Sequence, residues 1–258
     1  FKDGETIAIS VEREVRARIP MHLIQSVVGF GEVSMSPFLM HALAEKGISV
    51  TYLSVPGRLL CRVDAPASGN VLLRRAQFRM ADRTEEALPL ARAMVAGKIQ
   101  NSRFLLLRAA RDLDSDIGRE QVRKASEDLA TALFGLEKAT TLDEVRGFEG
   151  RAAERYFSVF SSLIKRDEKD FSFTNRNRRP PLDPVNAMLS FTYALLLNDC
   201  VAALTSVGLD PSVGFLHTDR PGRPSLALDL IEEFRALFAD RLVLRLINRR
   251  EVNIRGFI

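Results

Sequence analysis

The hydrophobic period of this chain changes once, near residue 66, and that change sets its fold class. Before it, apolar and polar residues alternate over 5–10 and 14–19, as in half-buried strands. Residues 48–55 (ISVTYLSV) are rich in β-branched and aromatic side chains and run into Pro56-Gly57, a turn signal; 59–63 reads as the returning strand. Between them, 36–46 (SPFLMHALAEK) has a serine N-cap, proline at the first helical position and Gly47 as C-cap, which predicts a short helix. Pro66-Ala-Ser-Gly69 then breaks the pattern, and strand signals end. Helical spacing follows over 71–98, 103–110, 118–136, 143–163, 183–205 and 225–239. The expected fold is α+β: a small β-rich N-terminal domain, 1–66, followed by a larger all-α domain, 67–258.

Composition narrows the classes. At 258 residues, with 46% hydrophobic and 27% charged, the chain is long enough for a real core and too apolar to be disordered. The net charge of +4 is carried mainly by arginine, the side chain that grips phosphate through paired hydrogen bonds. Two cysteines, Cys61 and Cys200, stand far apart, which excludes a disulfide framework or a zinc ribbon and fits a reducing cytoplasm. No signal peptide and no apolar run long enough to span a bilayer is read, so no membrane partner is expected. The chain opens at Phe1 rather than methionine, so native residues are expected to precede it.

Few residues can carry chemistry. Of the three histidines, His22 and His41 sit in apolar patterns of the β-rich part and read as structural. His217 ends an apolar run (VGFLH), and a Pro- and Gly-rich loop leads from it to a helix that Ser225 can cap. On that helix Asp229 and Glu232 are three apart and share a face, beside a stripe of Leu226, Leu230, Phe234 and Leu237. The competing reading of this pair is an exposed acidic face followed by Arg235. Glu149 lies between Gly147 and Gly150 inside a helical pattern. Each glycine costs about 1 kcal/mol there, which points to close approach of a backbone or ligand, or else to a kink or helix start.

FEGRAAERYF around Glu149, GFLH at His217 and SLALDLIEEFR resemble, in order, the three motifs of the CRISPR-associated Cas-one integrases. IPMHLIQSVVGFGEVSMSPFLMHALAEKGISVTYLS, GNVLLRRAQFRMAD and GKIQNSRFLLLRAARD resemble that family's framework, nearest its type I-C branch. The resemblance implies a β-rich dimerisation domain and a helical catalytic domain. It implies Glu149, His217 and Glu232 as metal ligands, with Asp229 as a further acidic catalytic residue; because the last ligand is aspartate in some members, Asp229 remains the alternative to Glu232. It implies a homodimer working with a Cas-two dimer, in this branch also with a Cas-four nuclease, on double-stranded prespacer and repeat DNA. The family's first strands precede Phe1, and its C-terminal tail extends past Ile258.

Two carboxylates and one imidazole suit Mg²⁺ or Mn²⁺. Such an ion activates a hydroxyl and offsets leaving-group charge, which fits hydrolysis of a phosphodiester and, with a DNA 3′-hydroxyl as nucleophile, transesterification. Arginines are expected to hold the phosphates: Arg75 and Arg79, on one helix face with Arg83; Arg146, Arg151 and Arg155 around Glu149; Arg176, Arg178 and Arg179 before Pro180; Arg245 and Arg249 after the last motif. The alternatives are a metal-dependent nuclease of general DNA repair and a DNA-binding scaffold.

Overall fold

The computed structural model describes residues 1–55, 57, 59–63, 71–166, 169–178 and 180–257. The chain divides into two compact units, Phe1–Arg74 with Val201–Leu209, and Arg75–Cys200 with Asp210–Ile258. The Pro66–Gly69 break expected from the sequence lies outside the described residues, as do Pro56 of the expected turn and Arg179.

The first unit carries two small sheets. β1 (Lys2–Asp3), β2 (Thr6–Val11) and β3 (Glu14–Pro20) form an antiparallel meander. Its β2–β3 turn places Glu12 and Arg13 at φ 51° and 71°, the left-handed pair that matches strand twist in a two-residue hairpin. In the second sheet β4 (Ser26–Phe30) runs parallel to β5 (Ser49–Leu53), and β6 (Leu59–Val63) returns antiparallel to β5. The crossover is α1 (Pro37–Glu45), started by Ser36 Oγ accepting from Leu39 N at 3.3 Å and ended by Gly47 at φ 69°. Ile7, Met21, Leu39, Leu43, Ile48 and Val50 form the core. β4 was not legible by alternation, because SVVGF is short and nearly all apolar, the pattern of a strand covered on both sides.

Helices dominate thereafter, as the change of period predicts. They are α2 (Val71–Ala81), α3 (Thr84–Arg111), α4 (Asp116–Glu137), α5 (Leu142–Ser158), α6 (Pro184–Ser206), α7 (Ser225–Phe234) and α8 (Arg241–Asn248). A π-helical turn, Arg235–Asp240, joins the last two. The break expected around 99–102 falls instead at 82–83, so α3 runs unbroken past Pro89 and Gly97. Pro89 forfeits one hydrogen bond near the helix start. The space a Cβ would take on Gly97 is filled by the Glu233 side chain, 2.9 Å away. Residues Ala91, Val95, Ile99, Leu106 and Ala110 of α3 face a core completed by Val122, Leu129, Leu136, Val145 and Phe160.

One expectation is corrected. By length and composition α6 is apolar enough to cross a membrane. Its apolar runs are short and bordered by polar residues such as Asn198 and Asp199, and a core helix of a folded domain has the same composition.

Candidate active site

α5, α7 and α3 bring the chemistry together within the second unit. α5 starts where the sequence places it: Thr141 Oγ1 accepts from Glu144 N at 3.2 Å, and the Glu144 carboxylate reaches back to accept from Thr140 N, the residue before the cap, at 2.7 Å. Two turns on, this presents Glu149, whose side chain is 26% exposed. Neither neighbouring glycine is crowded by another backbone. Gly147 faces the Arg151 guanidinium at 3.3 Å, and nothing lies within 4 Å of a Cβ placed on Gly150.

α7 turns its acidic pair inward. Asp229 is fully buried and Glu232 is 3% exposed, and Leu226, Ala227 and Ile231 are buried with them around the helix. The expected stripe is therefore shifted: Leu230 is only half-buried and Leu237 is exposed. Ser225 does not cap the helix. It is the first helical residue, and its hydroxyl donates to Thr218 O at 3.2 Å.

The loop before α7 wraps Asp229. Phe215 N and Leu216 N donate to Oδ2 at 2.6 and 2.9 Å, while His217 N and Nδ1 lie 2.9 and 2.6 Å from Oδ1. Gly214 makes this wrap possible, since a Cβ there would sit 2.9 Å from Asp229 Oδ2 and from the Ser225 backbone. Gln77 anchors the start of the loop, donating to Asp210 O and Val213 O at 2.7 and 2.9 Å. Arg146 holds the other side, with Nε and Nη2 both donating to Leu216 O at 2.9 and 2.7 Å. With Nδ1 committed to Asp229, the imidazole leaves Nε2 without a hydrogen-bond partner among the described residues.

Glu149 and Glu232 meet on one cation, the buried Lys98 of α3. Its ammonium contacts Glu149 Oε1 and lies 2.7 Å from Glu232 Oε2. Arg235 grips the same glutamate at 2.9 and 3.1 Å. Burial pushes the Glu232 carboxyl up, but the charges of Lys98 and Arg235, the Lys98 hydrogen bond and His217 outweigh it and hold the group below the usual carboxylate range. The helices are locked nearby by Asn101, which donates to Glu233 O at 2.8 Å, and by the Gly97–Glu233 contact. Among the described residues no three His, Cys, Asp or Glu side chains stand at metal-binding separation; an ammonium stands between the two glutamates instead. The donor chemistry nevertheless fits a hard divalent ion. Two carboxylates already share one cation, and a carboxylate-fixed imidazole has its outer nitrogen unpartnered.

Sequence reasoning missed Lys98 and Arg235. The available signal for Lys98 was a lysine on the apolar stripe of a helix, one residue after a glycine. Behind Arg235 lies a second buried network. Tyr156 and Tyr193 donate to Asp240 at 2.9 and 2.5 Å, and the Arg235 and Arg176 guanidiniums sit 5.0 and 5.3 Å from the Tyr193 ring centre. Burial raises Asp240 to about 6 against the pull of both tyrosine hydrogen bonds and both arginines.

The arginines separate into two sets. Arg146, Arg155 and Arg176 spend donors on the protein: on Leu216 O and Asp143, on Asp128 and Ser158, and on Asn186 and Ser190. Arg75, Arg79, Arg151, Arg178, Arg245 and Arg249 are exposed. Arg83 falls beyond the end of α2 and pairs with Glu86 at 2.6 Å. Tyr156 and Phe157 pack against Phe160, in the core.

The family profile described as "CRISPR associated protein Cas1" matches residues 1–258. The chain belongs to the Cas1 family. It is 50% identical over 256 residues to "CRISPR-associated endonuclease Cas1 1" of Chlorobaculum tepidum, covering 99% of this chain and 75% of that one. Among solved structures, a CAS1 protein from Thermotoga maritima superposes with a TM-score of 0.79 at 28% identity, over 98% of this chain and 77% of that one. A casposase bound to integration product gives 0.79 at 26% identity, over 100% and 72%. Similarity also extends to a Cas4 exonuclease/Cas1 endonuclease fusion of Geobacter sulfurreducens, 38% identical over 100% of this chain and 46% of that one. A Cas6-RT-Cas1–Cas2 complex matches with a TM-score of 0.77 at 26% identity, over 98% and 27%.

Proposed function

We propose that this Cas1 chain is a metal-dependent DNA endonuclease and integrase of CRISPR adaptation, which joins 3′-hydroxyl ends of spacer DNA to the repeat by transesterification. The observation that carries this is the convergence of Glu149 and Glu232, from two helices, on one cation beside the His217 imidazole that Asp229 orients. Glu149, Glu232 and His217 would hold Mg²⁺ or Mn²⁺. Asp229 has both oxygens filled by the His217 loop, so it positions the imidazole and leaves the third ligand role to Glu232. When bound, the ion supplies Lewis acidity at the scissile phosphate and lowers the pKa of the attacking hydroxyl. Arg235 neutralises Glu232 and holds its carboxylate in place. The exposed Arg75, Arg79, Arg151, Arg178, Arg245 and Arg249 contact DNA phosphates, whereas Arg146, Arg155 and Arg176 contribute charge from fixed positions.

The names of similar proteins support the wider assignment. A casposase is seen with an integration product, Cas1 occurs in complex with Cas2, and Cas4 is fused to Cas1. On this reading the chain acts on double-stranded DNA in the cytoplasm, as a homodimer with a Cas2 dimer and, in a type I-C-like system, with Cas4. Residues 1–66 serve dimerisation and 67–258 catalysis.

The test is strand transfer of a 3′-hydroxyl duplex into a supercoiled repeat plasmid, with the Cas2 partner and Mn²⁺ or Mg²⁺. Glu149→Ala, Glu232→Ala and His217→Ala are expected to abolish product while the folded circular dichroism spectrum is kept. Full activity in His217→Ala rejects the site.

A further inference from the structure

Lys98 is the one charged residue on the buried face of α3, and the integrase chemistry proposed above gives it no role. Its ammonium stands where the two glutamates can share a cation, contacting both. Building on the metal reading of Glu149, Glu232 and His217, we propose that Lys98 is a tethered counter-ion that alternates with the divalent ion. It holds the two glutamates together in the metal-free chain and is displaced when metal binds.

Charge balance requires one cation to leave. Glu149, Glu232 and the Asp229 carboxylate behind His217 stand against Lys98 and Arg235, so a divalent ion added with both cations in place leaves one uncompensated positive charge in a buried setting, which the departure of one cation removes. Arg235 is the fixed member of the pair. It grips both oxygens of Glu232, and its guanidinium lies over the Tyr193 ring, which Asp240 in turn holds at 2.5 Å. Lys98 ends a four-carbon stem of rotatable bonds. Beyond the two glutamates its ammonium has no partner among the described residues, and its side chain retains 10% exposure, an outlet on the solvent side. The same short travel keeps the displaced ammonium near the site, where a bound phosphodiester offers it new acceptors.

Two outcomes separate a competitor from a mere scaffold for the ligands. Removing a competitor tightens metal binding; removing a scaffold weakens it. Mn²⁺ binding is read by electron paramagnetic resonance titration of the wild-type chain and of Lys98→Met, which keeps the stem length without the charge. Expected is a dissociation constant at least about tenfold lower in Lys98→Met, since the ion then no longer has to break two close contacts between unit charges, which together are worth that much even in water. Equal or weaker binding in the variant, with the wild type binding normally, overturns the proposal and leaves the metal reading intact. A wild-type chain that takes up no Mn²⁺ sinks both. Should Lys98→Met fail to fold, amine-reactive labelling of the wild type with peptide mass spectrometry decides. Labelling of Lys98 that rises with added Mn²⁺ supports displacement, and labelling that does not rise overturns it.

Discussion

Asp229→Asn tests how the site is assembled. The native carboxylate is fully buried and faces four donors, two on each oxygen. An asparagine in the same rotamer keeps one acceptor oxygen and turns an NH₂ group toward the other pair. If the oxygen faces His217, the N–H groups of Phe215 and Leu216 lose their acceptor. A buried donor left unsatisfied costs about 1–3 kcal/mol, so two give about 2–6 kcal/mol. The surviving bonds lose their ionic character and weaken further. Set against a domain stability of about 5–15 kcal/mol, this is a large loss. Equilibrium urea unfolding at pH 7 is expected to show it as a lower midpoint with an unchanged slope. Mn²⁺ affinity is expected to fall about 10–100-fold, the usual effect of removing the group that orients a metal-bound histidine. A destabilisation under about 1 kcal/mol would refute the account of Asp229 as the organiser of the loop.

Asp240 gives a pH signature. Its folded pKa of about 6 lies above the ordinary 3.8, so the stability tied to its neutral form is fully present below pH 4 and is lost as pH rises through 6. Asp240→Asn cannot ionise, and wild-type stability relative to this variant is expected to fall by on the order of 3 kcal/mol between pH 4 and 7, at 1.36 kcal/mol per pH unit; a difference that is flat in pH counts against the buried carboxylate, with Tyr156, Tyr193, Arg176 and Arg235 facing it. The two sets of arginines should also part in assay. Arg75→Ala with Arg79→Ala is expected to lower the slope of log affinity for DNA against log salt by about 2, at roughly 0.9 per phosphate contact, whereas Arg176→Ala, losing Asn186, Ser190 and the Tyr193 ring, is expected to lower the urea midpoint; a reversed pattern refutes the division.

Much of the architecture was legible locally. Alternation found β2 and β3; the serine–proline start found α1; Thr140-Thr141 followed by Asp143 and Glu144 found the start of α5. These signals depend on neighbours a few residues away, and that is all a sequence pattern senses. The misplaced break in α3 has the opposite origin. Gly97 reads as a helix breaker until Glu233, from a helix more than a hundred residues later, fills the space beside it.

By itself the sequence determined the change from strands to helices, the ordered motifs at Glu149, His217 and Glu232, and the helical spacing that sets Asp229 and Glu232 on one face. Those are properties of period and residue type, and the chain carries them wherever it folds. Tertiary structure alone decided what each group touches. It gave Asp229 to four donors of the His217 loop, put the Lys98 ammonium between two glutamates from different helices, and tied Arg146, Arg155 and Arg176 to protein acceptors. Hydrogen bonds and ion pairs act over a few ångströms in space, and the partners involved lie up to about 130 residues apart in sequence.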